Sequence, residues 1–213
     1  MVYLIKDGEW NTICLPFDLV LEGSPLEGAT AKTLTNAEVT DNGEYTHVEL
    51  TFGDDVTTLQ AGVPYIIKWE ASQENIVNPT FTGVLVKDVD EEVRTLSFAD
   101  YQVQFIGYYD AFNITSEDED IFYMTAGNEL KHTGQNRTLK SCRAYFQFSE
   151  EAQKARQFVL NFGDGNETTG IISTKSSPDS TNDGWYTVDG MKLGKQPKRK
   201  GVYIQNGRKV VIK

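Results

Sequence analysis

The sequence predicts an all-β fold: an antiparallel β-sandwich of the jelly-roll kind, with a two-hairpin extension at its C-terminal end. Three observations carry this. Apolar and polar residues alternate with period two in segment after segment. Clusters of Gly, Asn and Asp separate those segments at short spacing. Helix signals are confined to one short stretch near residue 150.

The elements follow in order. Thr46-His-Val-Glu-Leu-Thr-Phe52 sets Val48, Leu50 and Phe52 on one face, opposite His47, Glu49 and Thr51. Val63-Pro-Tyr-Ile-Ile-Lys-Trp69 is more continuously apolar, as a central strand is, and Pro64 has to sit at its start or on an edge. Tyr101-Gln-Val-Gln-Phe105 places Tyr101, Val103 and Phe105 opposite Gln102 and Gln104. Arg143-Ala-Tyr-Phe-Gln-Phe148 and Gln157-Phe-Val-Leu-Asn-Phe162 repeat the alternation. Ser149 is the expected N-cap of a short helix inserted between them. Turns are expected at Asp41-Asn42-Gly43, Gly53-Asp54-Asp55, Gly127-Asn128 and Gly163-Asp164-Gly165.

The expected domain plan is a sandwich over 1–163, a polar linker over 164–184 and a basic two-hairpin tail over 185–213. The linker is rich in Gly, Asp, Asn, Ser and Thr, interrupted by Ile171-Ile172, and has room for one short strand. In the tail, Asp189-Gly190 and Asn206-Gly207 are the expected two-residue hairpin turns, since Gly tolerates positive φ and Asn and Asp do so better than most. The first turn pairs Val188 with Met191 and Tyr186 with Leu193, giving one apolar face. The second puts Tyr203, Gln205, Arg208, Val210 and Ile212 on one face, and Val202, Ile204, Lys209 and Val211 on the other.

Charge divides the chain. The total is −11, yet 189–213 carry eight basic residues against Asp189 alone, which leaves −18 for the rest. An acidic body repels a phosphate backbone, so nucleic acid is not an expected partner. The tail's expected partner is its own acidic domain or a neighbouring copy, because a lone hairpin is marginal in water. No stretch reaches the ~20 apolar residues of a membrane span. The opening Met1-Val-Tyr-Leu-Ile-Lys6-Asp-Gly reads as a strand and a turn rather than a signal peptide, so the chain is expected to continue a longer protein.

Candidate chemistry is sparse. Cys14 and Cys142 allow one disulfide across a long loop; the competing reading is two buried thiols. His47 and His132 have no metal-like spacing to the cysteines. No nucleophile elbow, phosphate loop or dinucleotide fingerprint is present, which predicts a non-catalytic protein without a cofactor. Asp118 and Asp120 in the run Glu117-Asp-Glu-Asp120, and Asp164 in the linker, are candidate calcium ligands, against the reading of solvated loops. Trp10, Tyr108 and Tyr109 are candidate sugar-stacking rings, against the reading of core aromatics.

A further set of residues resembles a known group. Trp10-Asn-Thr-Ile-Cys-Leu-Pro-Phe17 comes first, followed by Ala61-Gly-Val-Pro-Tyr-Ile-Ile-Lys68, Phe81-Thr-Gly83 and Arg143-Ala-Tyr-Phe146. Thr169-Gly-Ile171, Trp185-Tyr-Thr-Val-Asp-Gly190 and Gly201-Val-Tyr-Ile-Gln-Asn-Gly-Arg-Lys209 close the series. In this order they resemble the C-terminal region of secreted and surface proteins of Bacteroidales bacteria, some of them adhesin-like. The last thirty residues resemble the end of type IX secretion sorting domains, although full sorting domains are larger sandwiches. The resemblance implies a secreted or cell-surface, outer-membrane-associated, non-catalytic module, structural or adhesin-associated, whose tail serves export, anchoring or docking. The alternative is a carbohydrate-binding module that takes cell-envelope or host glycans. It also implies O-glycosylation at Ser180, since Asp179-Ser-Thr181 resembles the acceptor motif of such proteins.

Overall fold

The computed structural model describes residues 2–41, 43, 45–71, 74–163, 168–170, 185–187, 192–193, 201–205 and 208–212. Two compact units divide the chain, Met1–Ile172 and Ser173–Lys213. The first therefore runs nine residues beyond the expected end of the sandwich at 163.

In chain order the first unit holds β1 (Tyr3–Leu4), β2 (Asn11–Ile13), β3 (Leu19–Val20), β4 (Thr30–Lys32), β5 (Leu34–Asp41) and β6 (Thr46–Phe52). It continues with β7 (Thr58–Leu59), β8 (Tyr65–Lys68), β9 (Ile76–Val77), β10 (Thr95–Phe98), β11 (Val103–Tyr108) and β12 (Phe112–Ile114). Last come β13 (Ile121–Met124), β14 (Leu130–His132), β15 (Arg137–Leu139), β16 (Arg143–Phe148), the helix α1 (Glu150–Gln153), β17 (Ala155–Asn161) and β18 (Thr168–Gly170).

Two sheets make the main sandwich. One has the order β10-β11-β16-β13-β14 and the other β18-β17-β6-β5. Alternation explains how they meet. Val48, Leu50 and Phe52 of β6 are buried, as are Ala144, Phe146 and Phe148 of β16, while their sequence neighbours are partly exposed. Across the two sheets Phe148 meets Phe158 at 5.0 Å, Phe122 stacks on Phe158 at 5.8 Å, and Phe52 meets Phe105 edge-on at 6.5 Å. Each fully buried Phe contributes roughly 1.5–3 kcal/mol, so this aromatic seam holds the two sheets together.

A second core lies around the three-stranded sheet β2-β8-β4 and the pair β3-β7. β8 is the shared element. Ile66 belongs to the first core, and Tyr65 and Ile67 to the second. This is why its sequence reads as continuously apolar rather than alternating. Pro64 precedes the strand, where no ladder hydrogen bond is required of it. Ser149 caps α1, its side chain accepting the Ala152 N–H.

The structure departs from the expected pattern in three places. β6 and β17 pair in parallel, in a fold otherwise paired antiparallel among the described strands. The whole opposing sheet lies between them in sequence, and parallel neighbours need such a long crossover. Tyr101 does not join the face of Val103 and Phe105 but is 75% exposed. Ala99, Asp100 and Tyr101 all take left-handed backbone, φ 50°, 52° and 67°, so the period-two register begins only at Val103. The third departure is in the second unit.

That unit is a four-stranded sheet of order β20-β19-β21-β22, where β19 is Trp185–Thr187, β20 Lys192–Leu193, β21 Gly201–Gln205 and β22 Arg208–Ile212. β21 and β22 pair Gln205 with Arg208 and Tyr203 with Val210, the register of a two-residue loop. β19 and β20 pair Trp185 with Leu193 and Tyr186 with Lys192, one residue away from the expected register. Leu193 therefore pairs with Trp185 rather than with Tyr186. β19 is also paired on its other edge with β21, so the sheet as well as the loop sets its register. The turn residues Asp189, Gly190, Asn206 and Gly207 lie outside the described residues.

Candidate functional site

The outer face of the five-stranded sheet carries a small aromatic cluster. Tyr108, Ile114 and Leu139 are buried there, with Phe112, Tyr123 and Tyr145 packed against them. The hairpin-like pair β12–β15 covers this face, through Phe112↔Leu139 and Ile114↔Arg137. Beside it opens a pocket of about 350 Å³. That is within the usual range for small-ligand sites, roughly 300–1,000 Å³.

Four separate pieces of chain build the pocket. The first is 3–12, comprising β1, its following turn and most of β2. The others are the end of β11, the stretch from β13 into its turn, and 137–144. The pieces are pinned to one another. Asn128, in left-handed backbone at φ 55°, accepts the Trp10 N–H at 2.8 Å through Oδ1 and donates through Nδ2 to a Glu9 carboxylate oxygen. The Asn11 side chain accepts the Ile5 N–H at 3.0 Å and donates to the Ile5 carbonyl at 2.8 Å. Thr12 Oγ1 donates to the Ala144 carbonyl at 2.9 Å and so ties β2 to β16.

Arg143 is the central polar group. It opens β16 opposite Tyr108 and points outward because its neighbour Ala144 points into the core. Its Nη1 donates to the Thr12 carbonyl at 2.9 Å and to Asn11 Oδ1 at 3.4 Å, and its Nη2 donates to the Tyr3 carbonyl. Burial lowers its pKa, and the phenol of Tyr108 and the thiol of Cys142 oppose that shift. Two exposed cations flank it. The Arg137 guanidinium lies 4.4 Å from the Tyr123 ring centroid, and Lys140 Nζ lies 4.2 Å from that of Tyr3. Asp7 and Glu9 also line the pocket, with Asp7 Oδ1 accepting the Glu9 N–H at 3.0 Å.

The expected sugar-stacking rings are placed differently. Trp10 and Tyr108 both line this pocket, but neither offers an open ring face. Trp10 is 4% exposed, stacked on Phe162, with Lys68 Nζ 4.4 Å from its ring centroid. Tyr108 is buried edge-on against Phe112. Tyr109 lies elsewhere, under the Arg94 guanidinium at 4.9 Å, and burial pushes its pKa up to about 12. Tyr108 closes β11 and Tyr109 lies just past its end, so the two rings do not share a site.

The described calcium candidates, Asp118 and Asp120, are engaged in hydrogen bonds of their own. Asp118 Oδ2 accepts the Thr115 N–H at 2.7 Å and the Thr115 hydroxyl at 3.0 Å, closing its own turn. Asp120 Oδ2 accepts from Gln147 Nε2 at 2.6 Å. Among the described residues no group of three or more His, Cys, Asp or Glu is placed to hold a metal ion. Asp164 lies outside the described residues, as does Ser180.

Cys14 and Cys142 are free thiols, Cys14 buried and Cys142 partly so, the arrangement of the thiol reading rather than of the disulfide. They are nonetheless neighbours, since the Cys14 N–H donates to the Cys142 carbonyl at 3.3 Å. Cys14 Sγ is turned to the Gly62 carbonyl at 3.3 Å, and Cys142 Sγ to the Tyr109 carbonyl at 3.8 Å. Burial pushes the Cys14 thiol up to about 12 and raises Cys142 as well.

Sequence reasoning reached two pocket residues through their aromatic character and missed Arg137, Lys140 and Arg143. The available signal was three basic residues at intervals of three within an acidic body. Comparison with protein families, with curated proteins and with solved structures gave no match to this chain.

Proposed function

We propose that the chain is a non-catalytic, adhesin-associated module of a secreted or surface-exposed protein, and that it contacts glycans through the pocket beside β12 and β15. One observation carries this reading. Polar side chains from separate pieces of chain, tied to one another by hydrogen bonds between strands, line a ligand-sized opening. Donors held in place by a sheet suit recognition, because little ordering remains to be done when a ligand arrives. The pocket favours the glycan-binding alternative over a purely structural module. Recognition would run through hydrogen bonds and charge, since the cations already occupy the Tyr3 and Tyr123 faces.

The basic segment 184–213 serves export, anchoring or docking in this proposal, on the strength of its +7 charge beside a −18 remainder. Glycan-array screening of the full chain tests the contact site. Specific binding that Arg137→Ala weakens supports it, and an array without specific signals returns the chain to the structural class. Fractionation of cells making the parent protein tests the location, and a protein confined to the cytoplasm would sink the export proposal. Deleting 184–213 tests docking, with a change in melting temperature or oligomeric state as the expected result.

A further inference from the structure

The pocket's charge is unusual for this chain. Acidic residues outnumber basic ones 31 to 20, so a cation here readily finds a carboxylate. Lys32 pairs with Asp55, Lys87 with Asp18, Lys131 with Glu129 and Lys154 with Glu151. The three pocket cations do not follow suit. Arg137 and Lys140 lie against tyrosine rings, and Arg143 rests on two carbonyl oxygens and an amide oxygen, all neutral. Among the described residues none of the three has a carboxylate within ion-pair distance.

Two features point to what the cations face. Arg143 has five N–H donors, of which the described bonds use three, so Nε–H and one Nη2–H remain for ligand oxygens. A partly buried guanidinium with only neutral partners is costly unless an anion completes it. The charged residues of the wall are Arg137, Lys140, Arg143, Asp7 and Glu9, a net of +1. A single carboxylate neutralises that wall. A neutral sugar leaves it charged, and a dianion such as phosphate brings more charge past Asp7 and Glu9 than the wall balances.

We propose that the sugar bound in this pocket is a uronic acid, its carboxylate held by Arg143 with Arg137 and Lys140 beside it. The inference rests on the glycan-binding reading and adds the ligand's charge. Guanidinium–carboxylate bonds are charge-assisted and roughly twice as strong as neutral ones. The preference over a matched neutral sugar is therefore expected to be about tenfold or more in Kd.

The experiment is calorimetric titration of the full chain with methyl glycosides of glucuronic and galacturonic acid and of their neutral parents, glucose and galactose. The uronates are expected to bind about tenfold tighter than the parents, and to weaken as salt rises toward about 0.5 M. Arg143→Lys is expected to abolish the preference. Because Arg143 also ties β1 and β2 to β16, Arg137→Gln and Lys140→Gln provide variants at exposed positions. Each is expected to weaken uronate binding severalfold while leaving the melting temperature unchanged. Equal binding of uronate and parent overturns the charge inference and leaves the glycan reading standing. Binding of neither overturns both. Uronate binding indifferent to salt and to both exposed variants overturns the assignment to this pocket.

Discussion

Gly107 shows how closely single residues are fitted. A Cβ at this position would lie 2.3 Å from Cys14 Sγ and 2.8 Å from Cys14 Cβ. Cys14 is fully buried and its thiol is engaged with Gly62, so it has little room to yield. Gly107→Ala should therefore destabilise the fold by about 1–3 kcal/mol, read as a lower urea midpoint at unchanged slope. The same burial governs the thiols. With both pKa values raised, neither cysteine is substantially ionised near neutral pH. Alkylation of the native protein should be slow at both sites and fast after unfolding, a difference that mass spectrometry of quenched samples would detect. Little of this residue-scale detail was legible in the sequence. Period two says which face Cys142 or Arg143 shares, but not which distant segment lies opposite. The meeting of Cys14 with Cys142, and of Arg143 with Tyr3, depends on contacts more than 120 residues apart.

Elements were far more legible, and for a physical reason. β6 and β16 are buried on one side, so every second residue is apolar and the pattern survives in one dimension. Ser149 likewise acts within its own turn, as the expected N-cap of α1. Ser149→Ala should cost about 1 kcal/mol, by loss of the bond accepted from Ala152, and thermal denaturation would register it. What failed was register and direction. The slip of β20 against β19 and the parallel pairing of β17 with β6 are set by neighbours across the sheet, and no local pattern encodes them. β18 illustrates the same limit, since its polar Thr168-Thr169-Gly170 reads as linker yet pairs along β17. Truncation after residue 163 should expose that β17 edge and promote self-association relative to a chain ending at 172. Sedimentation of the two truncated proteins distinguishes the outcomes.

The molecule as a whole gathers groups that burial keeps neutral. Cys14, Cys142, Tyr65, Tyr108 and Tyr145 all have raised pKa values, with desolvation as the leading cause in each. For an acid whose folded value lies above its unfolded one, the unfolded chain releases its proton first. The stability these groups contribute is present in full below their ordinary values, 9.0 for Cys and 10.0 for Tyr. It is lost as pH rises, for Cys14 progressively up to about 12. Each such group adds a slope of about −1.4 kcal/mol per pH unit within its own window. The melting temperature should consequently be insensitive to these groups near neutrality and fall steeply above about pH 9. A calorimetric pH series checks both arms. At this scale the fold class was legible and the site was not. Alternation announces sheets, whereas the pocket is a property of how four stretches of chain come together, and its three cations look like ordinary surface charge until the other three stretches close around them.

β8 has a consequence for motion. Its residues belong to both cores, and its two neighbours, β2 and β4, hydrogen-bond to it along both edges. No partial opening can release its amides while leaving either core intact, so they should exchange with deuterium only when the whole body opens. Short pairs at the rim, such as β3 with β7, lack that double anchorage and should exchange through local fluctuation. The amides of Ile66 and Ile67 would then time the global opening of the body, and a substitution that weakens either core would quicken both together.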